Sequence, residues 1–226
     1  MVTRKIILIF LALFINTSWA GSKENSRVEH ATEVLQAIAS IPEEGIPSSL
    51  LSGSEGIAII PGVIKAGFVV GGRHGKGVIL LKDDNDTWSS PSFISLSGGS
   101  IGFQAGVQSA DIILVFKTRR SINGIINGKF TLGGDAAISA GPVGRNASAA
   151  TDLELKAEIY SYSRSRGLFA GVSLDGSVIQ IDHDSNTAVY GESGTPRKIF
   201  SGDVSSRSSS IVELRDFLEE MSAKAE

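Results

Sequence analysis

Ile94-Ser95-Leu96-Ser97-Gly98-Gly99-Ser100-Ile101-Gly102-Phe103-Gln104-Ala105-Gly106-Val107 alternates apolar with small or polar residues in steps of two, the period of a β-strand. Ile94 and Leu96 hold one parity, whereas Ile101, Phe103, Ala105 and Val107 hold the other. A strand changes the face it buries when one residue is inserted, so the switch predicts a bulge at Gly98-Gly99. Glycine there costs chain entropy but admits the bend. Repeated bends let a sheet curl or close. The expected fold is α+β and predominantly β, a strongly bent or closed antiparallel sheet with an amphipathic helix at each end.

The same period runs from about residue 55 to 191, punctuated by glycine. Leu153, Leu155, Ala157 and Ile159 alternate with Glu154, Lys156, Glu158, Tyr160 and Tyr162, which describes a strand with one wet face. Phe130, Leu132, Ala136, Ile138 and Ala140 repeat the alternation. Residues 112–116 are apolar on both parities and predict a strand covered on both sides. Asp175-Gly176 predicts a hairpin turn between 168–174 and 178–181. Asn123-Gly124 and Asn127-Gly128 bracket a short helical turn at Ile125-Ile126.

At the two ends the period becomes helical. Ser26 and Glu29 have the spacing of a capping box, Val28, Ala31, Leu35 and Ile38 form a stripe, and Pro42 stops the element, predicting a docked helix over 26–40. Ser210 and Glu213 repeat the box before Ile211, Leu214, Phe217, Leu218 and Met221, after a serine-rich linker at 201–210.

The first twenty residues stand apart. Arg4 and Lys5 precede an apolar run over 6–15, and Ser18-Trp19-Ala20 ends it with small residues, the pattern of a secretory signal peptide. Ten apolar residues are too few to span a bilayer. The expected organisation is therefore a leader, 1–20, and one domain, 21–226, exported to the periplasm or beyond. Removing the leader takes away Arg4 and Lys5 and no acid, so the mature chain is more acidic than the formal charge of −3.

That charge gives no footing to a general nucleic-acid binder. Absence of cysteine excludes disulfides, thiolate zinc sites and a cysteine nucleophile. His30, His74 and His183 lack ligand spacing. Asp182-His183-Asp184 reads as a polar turn, and Asp83, Asp84 and Asp86 as an exposed hairpin tip without the terminal glutamate of a calcium loop. Gly75-Lys76 is followed by Gly77, where a phosphate loop needs Ser or Thr, and Leu80 stands where a dinucleotide fingerprint needs glycine. No Gly-x-Ser-x-Gly elbow occurs. The expectation is a non-enzymatic protein with no cofactor.

An ordered series of motifs adds to this. Glu55-Gly56-Ile57-Ala58-Ile59-Ile60-Pro61 leads to Lys65-Ala66-Gly67-Phe68 and Gly71-Gly72-Arg73-His74-Gly75-Lys76-Gly77-Val78. Trp88-Ser89-Ser90-Pro91-Ser92, the glycine-rich 98–106, Thr131-Leu132-Gly133-Gly134-Asp135 and Ala140-Gly141-Pro142-Val143-Gly144-Arg145 follow. The series, over roughly 30–220, resembles the SYLF domain, also called the actin-regulating, Las17-binding family. The resemblance implies phospholipid binding, with phosphoinositides for eukaryotic members, actin binding in some fungal ones, and a lipid-contacting N-terminal helix in some. This chain resembles the stand-alone, exported bacterial members. Actin is not expected as a partner of an exported protein.

A lipid headgroup calls for cations and open backbone N–H groups beside an apolar ledge. Lys65, Arg73, His74 and Lys76, interleaved with glycines, are the first candidates. Arg145 and the cluster of Lys117, Arg119 and Arg120 are the second. The expected partner is an anionic phospholipid at a membrane surface of the cell envelope; the alternative is an envelope protein bound without lipid specificity.

Overall fold

Two strands dominate the molecule. β1 (Gly56–Leu81, 26 residues) and β2 (Ser92–Phe116) form one antiparallel hairpin. Laid flat, β1 would reach about 86 Å, against ~17–20 Å for an ordinary strand. It doubles back instead. A methyl group on Gly77 would collide with the Ile59 carbonyl oxygen and one on Gly71 with the Ala66 carbonyl oxygen; one on Gly75 would lie 2.6 Å from Val63 Cγ2. The computed structural model describes residues 20–40, 45–141, 157–165, 168–170 and 174–223. Residues 1–19 of the leader, residues 151–156 and Arg145 lie outside the described residues.

The hairpin register shifts twice. Ile60 faces Ile112 and Val63 faces Ala110, so β1 carries one extra residue. Gly62 takes it up at φ +58, in the left-handed region that favours glycine, and donates its N–H to Asp111 Oδ1 at 2.9 Å. One residue reverses the parity of β1. Ala58 and Ile60 before the bulge, and Val63, Ile79 and Leu81 after it, therefore enter the same core. At the second shift Gly67 faces Gly106 and Val69 faces Gly102, so β2 holds two extra residues. Two preserve parity: Ile94, Leu96, Ile112 and Leu114 share one core. The bulge expected at Gly98-Gly99 is absent, because both glycines pair in regular register with Arg73 and Gly72. The misleading parity belongs to the bend, where Val107 is 74% exposed rather than buried.

Five shorter strands complete a sheet of seven among the described residues: β3 (Phe130–Thr131), β4 (Ile138–Ala140), β5 (Ile159–Ser165), β6 (Leu168–Ala170) and β7 (Val178–Ile181). The order is β3-β7-β2-β5-β4, with β1 on β2 and β6 on β5. All pairs are antiparallel except β4 with β5. The sheet curls into a half-barrel. Gly176 turns the chain at φ +75, but the strand after it pairs with β2 and β3 rather than with β6.

Both faces of the hairpin are covered, which is why 112–116 is apolar on both parities. One face packs Ile57, Ile59, Leu80, Phe93, Ile113 and Val115 against the terminal helices, α1 (Ala20–Ala39) and α6 (Ser209–Ala223). Val28, Ala31, Leu35 and Ile38 supply the stripe of α1; Ile211, Leu214, Leu218 and Met221 supply that of α6. The other face packs against Ile122 and Ile125 of α3 (Arg119–Ile126), with Phe130 and Leu174. Tyr160 and Tyr162, expected on a wet face, are buried in the helix-covered core. α1 starts six residues before the predicted 26, so Ser26 is a mid-helix residue rather than a cap. α2 (Ser48–Ser52), α4 (His183–Tyr190) and α5 (Pro196–Phe200) are short connections.

The turn joining β1 to β2 is strapped to α6. Trp88 is fully buried, donates its backbone N–H to Glu219 Oε1 at 2.8 Å and its indole N–H to Ser222 Oγ at 3.1 Å, and accepts Arg215 Nε at 2.8 Å on its carbonyl. Ahead of it, Asp83 Oδ1 accepts the N–H groups of Asn85 and Thr87, and these bonds hold its carboxyl below the usual range. The exposed tip needs no metal to shape it.

Because Gly77 touches its own strand, Gly77→Ala forces the two halves of β1 apart and is expected to cost about 1–3 kcal/mol. Gly99→Ala, with open space around the new methyl, is expected to stay within about 0.5 kcal/mol of wild type. Urea midpoints of the two variants check the fold-over directly.

Candidate functional site

Strand alternation divides the first set of candidate cations. Arg73 points to the face that carries Ile79 and Ile94, opposite Gly98; His74 and Lys76 point to the face of Val78 and Phe93. Arg73 is partly buried, which lowers its guanidinium pKa, while the charge of Asp175 works the other way. It remains a cation throughout the accessible pH range.

Lys76 is held internally. Its Nζ lies 2.8 Å from Asp182 Oδ2, an oxygen that also accepts Arg27 Nη1 at 3.3 Å and Ser185 Oγ at 3.0 Å. Glu24 approaches Arg27 at 3.9 Å, and the guanidinium sits 5.2 Å from the Phe93 ring centroid. Arg27 and Asp182 are 8% and 9% exposed, Lys76 44%. Burial pushes the Asp182 carboxyl up, but the bonds from Lys76 and Ser185 outweigh it and leave the pKa below the ordinary value. Asp182 also caps α4 through the Ser185 N–H, so the Asp182-His183-Asp184 turn is a helix start. This latch joins α1, β1 and α4. The firm cation of the predicted N-terminal helix, Arg27, is therefore inside the protein rather than on a surface.

The second set is also partly occupied. Lys117 Nζ donates to the Gly53 carbonyl at 2.7 Å. Arg119 donates to Glu55 Oε2 and to the Lys82 carbonyl, each at 2.7 Å, and lies 3.6 Å from Asp84. Arg120 is exposed. Lys65, His74 and Arg120 form no ion pair among the described residues.

Lys65 has the most distinctive surroundings. It lies on β1 beside the hairpin corner, opposite Gln108. The neighbouring Ile64 is 52% exposed and Val107, which pairs with Ala66, is 74% exposed. Ile64, Ala66, Val107 and Ser109 share one face of the ladder. Below them Asp111 holds the Gly62 bulge with one oxygen and accepts Arg164 Nε at 3.2 Å with the other. The corner thus combines an apolar ledge on one face with a partly exposed cation on the other, Lys65, which forms no ion pair among the described residues. Sequence reasoning found Lys65 but assigned Val107 to a buried face. The missing signal was the count of extra residues at the bend.

Among the described residues no cluster of three or more His, Asp or Glu side chains could hold a metal ion, and no helix is long and apolar enough to cross a membrane.

A sequence profile described as Las17-binding protein actin regulator matches residues 97–221, more than half of the chain. The chain belongs to this family. An SH3 domain-containing protein of Schizosaccharomyces pombe is 39% identical over 165 residues, covering 72% of this chain and 38% of that protein. LAS seventeen-binding protein 3 of Saccharomyces cerevisiae is 38% identical over the same length, with 36% of it covered. The SH3 domain-containing YSC84-like protein 1 of Bos taurus is 32% identical over 211 residues, covering 91% of this chain and 61% of that protein. The chain thus spans between about a third and three-fifths of these family members.

The latch gives a pH prediction. A carboxyl whose folded pKa is lowered stabilises the fold above its unfolded pKa and loses that contribution as pH falls through the folded value. Asp182→Asn leaves the buried Arg27 with Glu24, at 3.9 Å, as its one carboxylate among the described residues and is expected to cost about 3–5 kcal/mol at neutral pH. The cost should shrink as the pH drops below the ordinary carboxylate range. Lys76→Ala, at a more exposed partner, is expected to cost about 1 kcal/mol or less. Urea midpoints at pH 7 and pH 3 read both effects.

Proposed function

We propose that this chain is a non-enzymatic module that binds an anionic phospholipid surface, and that it does so through the corner of the β1–β2 hairpin. The observation that carries this reading is the exposure of Ile64 and Val107 beside Lys65. Apolar side chains at the corner gain by entering the headgroup boundary, and a neighbouring cation adds attraction of about 1 kcal/mol near an anionic surface. Lys76 is a poor headgroup ligand, because contact with a phosphate competes with Asp182 for the same ammonium. The export signal read from residues 1–20 would place this surface in the cell envelope.

A second reading is a protein-interaction module without lipid preference. It is favoured by the family's designation as Las17-binding actin regulators and by the fungal relative named for binding LAS seventeen. The exposed corner suits either partner, and the response to salt and to vesicle charge separates them.

Flotation with neutral and anionic vesicles at low and high salt is the deciding measurement. The lipid reading expects binding to anionic vesicles that falls at high salt, because screening shortens the reach of exposed charge to about 3 Å at 1 M. A Lys65→Ala/Val107→Ser variant should lose most of the binding, and an Arg73→Ala/Lys76→Ala variant should retain more of it. Binding that survives the corner variant would remove the corner as the site. Absence of binding to any vesicle would leave the protein-interaction reading.

A further inference from the structure

A cleft of about 620 Å³ opens between the β1–β2 turn, α3, α5 with the segment after it, and α6. That volume is within the ~300–1,000 Å³ typical of small-molecule sites. Its cations are Lys82, Arg119, Arg197 and Arg215, and its acids are Asp83 and Asp84. Four positive charges line it against two negative ones, and just outside the lining Glu55 pairs with Arg119 and Asp86 approaches Lys82, which leaves Arg197 and Arg215 as the uncompensated pair. Both lining acids are already satisfied in part: Asp83 by two backbone N–H groups, Asp84 by Arg119.

Arg197 and Arg215 are anchored at one edge and open at the other, whereas Arg119 is already engaged by Glu55, Asp84 and the Lys82 carbonyl. Arg215 uses Nε on the Trp88 carbonyl, Arg197 uses Nη2 on Asn127 Oδ1 at 2.7 Å, and neither forms another hydrogen bond among the described residues. A guanidinium held by one donor presents the rest of its fork without a further entropic cost, which suits the planar recognition of an oxyanion. Lys82 is 4% exposed and donates to the Ser52 carbonyl at 2.6 Å. Burial lowers its pKa, with Asp86 and Glu219 opposing, so its charge is poorly hydrated where it stands. Beside the cations, Ile126 and Phe200 are partly exposed over a floor of Leu81, Trp88 and Ile122. Hydroxyls of Thr87, Ser201 and Ser205 complete the polar wall.

We infer that this cleft binds a small organic oxyanion, a phosphate or carboxylate carried on a compact apolar body, with the head on the open forks of Arg197 and Arg215 and the body on Ile126 and Phe200. The inference is independent of the lipid reading of the hairpin corner and shares no residue with it. The ligand chemistry has two sources, a soluble phosphomonoester or the head of a phospholipid.

Calorimetric titration of the full chain tests it, with phenyl phosphate, inorganic phosphate, phenol and soluble dihexanoyl phosphatidate as probes. The expected result is a saturable isotherm for phenyl phosphate, weaker for inorganic phosphate and absent for phenol. Arg197→Gln removes an open fork from an exposed position and should weaken binding about tenfold or more. Ser205→Glu adds a carboxylate to the exposed wall without touching a core contact and should do the same. A tighter isotherm for the short-chain lipid than for phenyl phosphate would assign the head to a phospholipid; the reverse order would assign it to a soluble ester. A phenyl phosphate titration no different from phenol, or an isotherm that neither variant changes while both melt like wild type, overturns the inference.

Discussion

The approach of β1 to itself governs the rest of the molecule. Gly71, Gly75 and Gly77 bring the second half of the strand against Ala66, Val63 and Ile59, where no side chain fits between. A hairpin folded over in this way needs cover on both faces, since each half presents residues in two directions. The terminal helices cover one face, α3 with Leu174 covers the other, and the two cores share a single sheet. The Gly62 bulge reconciles the halves by turning the parity of β1 once. Without it, Ala58 and Ile60 would share a core with Val78 and Leu80 rather than with Ile79 and Leu81.

This arrangement explains which features could be read in the sequence. The two helical stripes, the doubly buried run 112–116 and the turn at Asp83 rest on local spacing, and each lies where its spacing puts it. The bend did not yield, because glycine-rich alternation looks the same on either side of a bulge. Two inserted residues around Gly102–Gly106 leave no trace in parity, whereas the one at Gly62 is hidden by Pro61 and the glycines beyond it. Tyr160 and Tyr162 matched the parity of charged neighbours, yet packing against the helix-covered core decided their burial. Period counts how many faces a strand has; it does not say how many are dry.

The charged residues show the same limit more sharply. Nothing local pairs Arg27 with Asp182, which lie 155 positions apart, yet their contact buries Arg27 and commits the still exposed Lys76 to the same carboxylate. A glycine-flanked cation on a strand suggests an open phosphate site only until the partner across the fold is known. Lys65, His74 and Arg120 form no ion pair among the described residues, and of the three Lys65 has exposed apolar neighbours. Arg197 and Arg215 carried no sequence signal, being single arginines in a connecting segment and a helix whose convergence depends on tertiary packing.

The exposed corner also has to be reconciled with β1 as an edge strand, since its ladder partner among the described residues is β2 alone. An open edge invites pairing with another chain, and proteins blunt such edges with bulges, proline and lysine. β1 carries all three, at Gly62, Pro61, Lys65 and Lys76. Edge protection accounts for a lysine at position 65 without any ligand. It does not account for Ile64 and Val107, which sit on the broad face of the ladder and forgo roughly half or more of the ~1.5–3 kcal/mol that full burial of each would give. A bend could be closed with serine and glycine alone, as Ser109 and Gly106 show on the same strand. The apolar pair, more than the cation, is what asks for a partner.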